Sequence, residues 1–330
     1  MKTFLKWFAL IIFIIIIGFL SGPRPPDPEF SVPEMAFPPT LSELENEIIE
    51  NEKKVKGLKS DNEARIVWAD TSKKEKTKIA FLYLHGFSAS QAEGEPVHRN
   101  LAKYFGANLY LARLSEHGID KGDSTMIDLD AEIYYETAEK ALAITKQLGE
   151  EVVVIGTSTG GALTLFLASR HPEIKAIVLY SPAVKLYDPS AVILDKPWGR
   201  QIAYRFMGSN VSRYEADSPE HENYWALEYR LEALVALQNL LSNTMNKETF
   251  SKVKCPVFLA YYYKTEEEQD KTVSVPAMLK MFDKLGTPAA SKEKMAFPDA
   301  GAHVIASYIR SKDWQGVERE TQRFLSGIIK

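Results

Sequence analysis

Apolar and polar residues alternate in blocks along most of the chain, and these blocks predict an alternation of strands and helices. Uninterrupted apolar runs are typical of parallel strands buried on both faces; here they are Ile79–Leu84, Asn108–Leu111, Glu151–Ile155, Ala176–Tyr180 and Val257–Tyr263. Weaker strand patterns cover Arg65–Ala69 and Lys294–Phe297. Apolar residues at helical spacing predict helices over Ile133–Leu148, from residue 160 to about 170, and over Gln315–Ile329. This order predicts an α/β fold with a mainly parallel central sheet and helices on both faces.

One long segment, Lys185–Lys254, interrupts the alternation. It contains no convincing strand pattern, and its second half, Trp225–Met245, is rich in leucine and strongly helical. We therefore predict a helical insertion at about residues 185–254, inside a domain that runs from residue 41 to residue 330.

The first 40 residues differ from the rest of the chain. Residues 1–22 combine a basic start with an apolar run from Trp7 to Leu20, a pattern typical of a secretory signal or a membrane anchor. No good pair of small residues marks a cleavage site, which favours an uncleaved transmembrane helix with the body outside the cytoplasm. Cleavage would instead make the protein an exported one. Residues 23–40 are rich in proline and predict an extended linker.

Composition narrows the range of functions. Apolar residues make up 45% of the 330 residues and charged residues 25%, which is ordinary for a globular protein. The net charge of −4 gives no basic face for nucleic acid, so we expect no nucleic-acid partner. The single cysteine, Cys255, excludes an intramolecular disulfide and a cysteine metal cluster.

A serine stands in a glycine-rich turn between a predicted strand and a predicted helix. Gly156 and Gly160 flank Ser158 at the Gly-x-Ser-x-Gly spacing, where a sharp turn leaves no room for side chains at the flanking positions. The free N–H groups at the start of the following helix point at the same place. This context favours Ser158 as a nucleophile over a chance glycine–serine turn.

A nucleophilic serine needs a base, and the base needs an orienting acid. Among the six histidines, His303 follows the last predicted strand and can reach over the carboxyl ends of the strands, where sites in open α/β sheets gather. The loop after Tyr263 carries four carboxylates, namely Glu266, Glu267, Glu268 and Asp270. Because a charged run is usually a solvated loop, we expect at most one of them to orient the histidine.

Four motifs in order resemble those of the α/β-hydrolase superfamily, over a stretch from about residue 65 to the C-terminus. They are Leu84-His85-Gly86-Phe87, Gly156-Thr157-Ser158-Thr159-Gly160-Gly161, Asp270-x-x-Val273-Ser274 and Gly301-Ala302-His303-Val304. Within the superfamily, the chain looks like the carboxylesterase and monoacylglycerol-lipase-like group, which has a segment similar to Arg113-Leu114-Ser115-Glu116-His117-Gly118. The motifs are specific to the fold and the catalytic triad, but not to a substrate.

The resemblance implies a role for each motif. Ser158 would be the nucleophile, His303 the general base and later acid, and Asp270 the orienting acid. The backbone N–H groups of Phe87 and Thr159 would form the oxyanion hole, and the insertion would be a cap.

The resemblance also implies an ester substrate, either a small molecule or a lipid, cleaved through an acyl-enzyme without metal or cofactor. An acyltransferase, a thioesterase or a peptidase with the same triad stays open, because the superfamily hosts all of them. So does a non-catalytic binding protein on the same scaffold.

Overall fold

A seven-stranded sheet carries the fold in the computed structural model, which describes residues 2–329. The strands are β1 (Arg65–Val67), β2 (Thr77–Leu84), β3 (Asn108–Leu111), β4 (Gly149–Thr157), β5 (Ala176–Tyr180), β6 (Val211–Arg213), β7 (Glu228–Arg230), β8 (Val257–Tyr261) and β9 (Lys292–Ala296). The sheet order is β1-β3-β2-β4-β5-β8-β9, and only β1 runs antiparallel to its neighbour. The predicted, mainly parallel sheet is therefore confirmed.

Helices cover both faces of this sheet. They are α1 (Lys2–Leu20), α2 (Leu41–Lys53), α3 (Val97–Tyr104), α4 (Ala131–Leu148), α5 (Thr159–Arg170), α6 (Gly199–Met207), α7 (Pro219–Tyr224), α8 (Leu231–Thr244), α9 (Lys247–Lys252), α10 (Val275–Lys284) and α11 (Trp314–Ser326). Alternate residues of β2 separate two cores: Leu82 packs with the side of α4, α5 and α8, whereas Phe81 packs with the side of α3 and α11. This two-sided burial explains why the central strands are continuously apolar.

The strand register brings the turns that follow several strands together at the carboxyl ends of the parallel strands. Leu84 at the end of β2 pairs with Gly156 in β4, and Thr157 pairs with Tyr180 at the end of β5. The turns that follow these parallel strands therefore leave the sheet side by side. The carboxyl ends of β8 and β9 lie on the same side of the sheet, because Tyr261 pairs with Ala296.

The insertion between β5 and β8 contains helices α6 to α9, but it is not purely helical. Strands β6 and β7 pair as a small antiparallel sheet, with Ser212 opposite Tyr229. The sequence pattern missed both strands because each has only three residues, which is too short for an alternation of apolar and polar positions.

The N-terminal segment departs from its predicted role. Within residues 2–329, no helix is long and apolar enough to cross a membrane, so the predicted transmembrane anchor over residues 1–22 is wrong. The uncharged part of α1, Trp7–Leu20, is only about 21 Å long at 1.5 Å per residue, whereas the hydrocarbon core of a bilayer is about 30 Å thick. The expectation that this segment attaches the protein to a membrane is therefore not supported.

Residues 23–40, which we call the proline-rich strap, are extended but lie against the body of the fold. Phe30 packs edge-on against the rings of Tyr135 and Phe166, with centroid distances of 5.3 and 5.0 Å. The carbonyl of Pro26 accepts a hydrogen bond of 3.0 Å from a side chain of α8. The strap is therefore a packed part of the structure, bridging α4, α5 and the insertion.

We expect Phe30→Ala to lower the free energy of unfolding by about 2 kcal/mol, because it removes a half-buried aromatic ring from an apolar contact. Val32→Ala in the same strap is the matched control, since Val32 is 53% exposed and should change stability by less than about 0.5 kcal/mol. Urea unfolding followed by circular dichroism measures both values. Equal midpoints for the two variants would show that the strap does not pack on the body in solution.

Candidate active site

Ser158 stands alone between the end of β4 and the start of α5, in a conformation that few side chains adopt. Its φ is 53° and its ψ is −118°. A positive φ is costly for a residue with a Cβ, so the surrounding structure must hold it. It does so through the N–H of Ser158, which donates to the Tyr180 carbonyl at 2.9 Å, and through the carbonyl, which accepts from Ala162 and Ala183.

The two glycines that flank Ser158 stand where the backbone leaves no room for a Cβ. A Cβ on Gly156 would overlap the Gly160 carbonyl, and a Cβ on Gly160 would overlap the Leu84 carbonyl at the end of β2. The serine turn therefore packs directly against the turn that begins at His85. Lack of space, rather than flexibility, is therefore the reason for glycine at both positions: Gly156 is crowded by its own turn, and Gly160 by the end of β2.

Asp270 and His303 lie in contact, although 33 residues of chain separate them. Asp270 follows β8, His303 follows β9, and the Oδ2 atom of Asp270 lies 2.6 Å from the Nδ1 atom of His303. The Oδ1 atom of the same carboxylate accepts the N–H groups of Thr272 and Val273 at 2.8 and 3.1 Å. Both oxygens of Asp270 are thus engaged, which fixes the carboxylate and the plane of the imidazole.

The second nitrogen of His303, Nε2, is buried and accepts no hydrogen bond within the described residues. Burial opposes protonation of this imidazole, but the charge and hydrogen bond of Asp270, and then the charge of Glu93, raise the pKa of His303 above its ordinary value. A proton on Nδ1 matches the carboxylate of Asp270. This leaves Nε2 as a proton acceptor with a strengthened basicity.

Ser158 and His303 share one region, but no hydrogen bond joins them in the described structure. A Cβ placed on Gly86 would lie 2.8 Å from the Cβ of Ser158 and 2.8 Å from Oε1 of Glu93. Glu93 is in turn close enough to His303 for each to shift the pKa of the other. Such contacts are often long before a substrate binds, so this geometry is compatible with a serine–histidine pair.

The backbone N–H groups of Phe87 and Thr159 lie in the two adjacent turns. Thr159 is the first residue of α5, so its N–H has no acceptor within the helix. Within residues 2–329, neither N–H donates a hydrogen bond to another protein group. Two free donors beside a serine can stabilise negative charge that develops on a substrate oxygen.

Two other histidines near this site are structural. The Nε2 atom of His85 accepts the N–H of Leu114 at 3.1 Å, and the Nε2 atom of His117 lies 3.2 Å from the Tyr134 hydroxyl. Burial lowers the pKa of His85 to about 4 and holds the pKa of His117 well below its ordinary range. Burial thus disfavours the charged form of both rings. His85 belongs to the turn that carries Phe87, and the centroid of the His117 ring lies 6.1 Å from that of the Phe87 ring.

Glu93 is the residue of this region that the sequence did not reveal. It lies in a short 3₁₀ turn, Gln91–Gly94, and is only 2% exposed. A lone glutamate after a run of small polar residues looks like a surface position. Its one sequence signal is its place in the run from Ser88 to Gly94, which contains no other charge.

The insertion lies over the site. The indole of Trp225 packs against Ala89, in the turn after β2, and against Val304, next to His303. The ring of Tyr229 meets the ring of Phe87 edge-on at 5.0 Å. The wall above the serine turn is therefore aromatic and apolar.

Comparison with known proteins supports the architecture. The sequence model of a family described as the alpha/beta hydrolase family matches residues 81–311. The chain belongs to the α/β-hydrolase family. A thermostable monoacylglycerol lipase from Bacillus sp. (strain H-257) is 28% identical over 188 residues, which cover 56% of this chain and 70% of that protein. The resemblance to the lipase and esterase group is confirmed.

Solved structures show the same fold. A structure from a study of LipS and LipT, two metagenome-derived lipolytic enzymes, superposes with a TM-score of 0.66 at 17% identity, covering 82% of this chain and 99% of that one. The monoacylglycerol lipase of Paleococcus ferrophilus gives 0.58 at 15% identity and 80% and 98% coverage. The monoglyceride lipase of Saccharomyces cerevisiae, with a substrate analogue, gives 0.58 at 14% identity and 80% and 90% coverage.

Proposed function

We propose that this protein is a serine hydrolase that cleaves a carboxylic ester through an acyl-enzyme intermediate. The observation that carries the proposal is the contact of Asp270 with His303. It leaves Nε2 of His303 without a hydrogen-bond partner among the described residues, at the carboxyl ends of the strands, where Ser158 also lies. The lipase and esterase relatives support the ester as the bond that is cleaved.

The reaction would use each of these groups in turn. Nε2 of His303 accepts the proton as Oγ of Ser158 attacks the ester carbonyl, and Asp270 stabilises the imidazolium that forms. The N–H groups of Phe87 and Thr159 receive the oxyanion. His303 then protonates the leaving alcohol, and a water molecule, deprotonated by the same imidazole, releases the acid.

For the substrate, we propose a lipid ester with an apolar acyl chain. The aromatic wall of Phe87, Trp225 and Tyr229 suits an aliphatic chain, and the Bacillus relative is by name a monoacylglycerol lipase. Export of the protein by residues 1–22 stays a prediction from the sequence.

A substrate panel tests this proposal. We expect p-nitrophenyl esters and monoacylglycerols to be hydrolysed, with kcat/KM rising with acyl length by at least about tenfold from acetate to octanoate, since each buried CH₂ contributes about 0.8 kcal/mol. Matched thioesters and anilides are the comparison substrates. Faster turnover of a thioester or an anilide than of the matched ester would favour the thioesterase or peptidase alternative instead.

A further inference from the structure

Glu93 is a buried carboxyl beside the proposed active site that the reaction above does not use. Its carboxylate accepts a hydrogen bond from the N–H of Gly86, and the charged side chain that acts on it is His303. Burial of a carboxyl group costs free energy unless hydrogen bonds or charges compensate. The groups that contact Glu93 therefore indicate its role.

The hydrogen bond from Gly86 restrains the residue that precedes Phe87. Glycine has no side chain to limit its backbone, so its conformation depends on what holds its N–H and its carbonyl. Glu93 holds the N–H, and Nδ1 of His85 lies 2.9 Å from the carbonyl. The two side chains thus hold the peptide groups on both sides of Gly86, and His85 contacts the one that carries the Phe87 N–H.

Glu93 also lies where it can act on the histidine. The titratable side chains that face it come from three elements: Tyr83 from β2, Tyr134 from α4 and His303 from the loop after β9. Burial raises the pKa of Glu93 to about 8, against the opposing effects of the Gly86 N–H and His303.

We infer that Glu93 is a positioning residue, which holds the Gly86 N–H so that the N–H of Phe87 faces the oxyanion. This inference rests on the function proposed above. It assigns the 3₁₀ turn Gln91–Gly94 a role in the reaction, although Glu93 itself touches no substrate atom.

Two substitutions separate the hydrogen bond from the charge. Glu93→Leu removes the acceptor, and we expect kcat to fall by about 10²-fold with KM changed less than about threefold, because one oxyanion donor is misplaced. Glu93→Gln keeps an acceptor for Gly86 and should restore kcat to within about fivefold of wild type.

Glu139 on α4 is the matched control, since it is also a buried glutamate, 3% exposed. Its carboxylate lies 2.9 and 3.0 Å from Nε2 of His171, which is not a residue of the proposed site. Glu139→Leu should lower the melting temperature and leave kcat unchanged. A folded Glu93→Leu enzyme with wild-type kcat would overturn the inference. If that variant does not fold, Glu93→Ala takes its place: the same fall in kcat supports the inference, and a wild-type kcat overturns it. Full activity in Ser158→Ala would instead overturn the proposed function.

Discussion

Ser158→Ala should reduce kcat by about 10⁶-fold while leaving the fold intact, because the proposed mechanism then loses its nucleophile and keeps only the oxyanion hole and substrate binding. The alanine keeps the Cβ and requires no new space at the turn. Circular dichroism and thermal unfolding check the fold, and hydrolysis of a p-nitrophenyl ester measures the rate. A fluorophosphonate probe should label the wild type and fail to label the variant.

Ser181 offers a matched control for this experiment. It is buried at the end of the neighbouring strand β5, and its φ of 43° is also positive. Ser181→Ala should therefore carry the same backbone cost as Ser158→Ala and retain its activity. Loss of activity in both variants would point to a disturbed turn instead of a lost nucleophile.

A double variant gives a second test of the pairing of Ser158 with His303. Groups of a triad act as a unit, so the Ser158→Ala, His303→Ala double variant should be little worse than either single variant. Replacement of His117 should cost far less than replacement of His303. Strictly additive losses, or a greater loss at His117, would show that His303 is not the base.

The sheet could be predicted because burial on both faces makes its central strands apolar without interruption. Strand β5 was predicted with both ends correct, and β4 with its core correct. Strand β9 was displaced by two residues at its start, because its sequence, Lys-Glu-Lys-Met-Ala, lies at the edge of the sheet and stays partly exposed. An edge strand is not required to be apolar, so its limits leave a weak pattern.

The candidate site was predictable only where chemistry imposes a local motif. Ser158 lies in a turn whose geometry requires glycines, so the Gly-x-Ser-x-Gly spacing can be recognised in the sequence. Glu93 lies in a short turn with no such demand, and its burial depends on β2, α4 and the loop of His303 together. The packing of Phe30 on α4 and α5 depends in the same way on residues more than 100 positions away. Contacts of this kind leave no periodicity in the strap.

Asp270→Asn should lower kcat by about 10⁴-fold and leave the fold intact, because the amide keeps the size of the carboxylate but favours the wrong tautomer of His303, as in the serine-protease triad. Apolar residues return at Thr272–Pro276 and draw the loop inward just after Asp270, which separates Asp270 from the three glutamates. Asp270 is 1% exposed and in contact with His303, whereas Glu266, Glu267 and Glu268 are exposed.

The pH dependence of kcat/KM shows whether Asp270 acts on His303 or only stabilises the fold. Burial lowers the pKa of His303 and Asp270 raises it, with a net increase, so removal of the negative charge should lower that pKa. The proposed mechanism needs neutral His303, so kcat/KM of the wild type should fall as the pH drops through this pKa. The acid limb of Asp270→Asn should therefore lie at lower pH than that of the wild type. Glu266→Gln, Glu267→Gln and Glu268→Gln are the controls, and each should cost less than about tenfold, since surface charges contribute little. Near-normal turnover in Asp270→Asn, together with an inactive variant at one of the three glutamates, would place the orienting acid earlier in the loop.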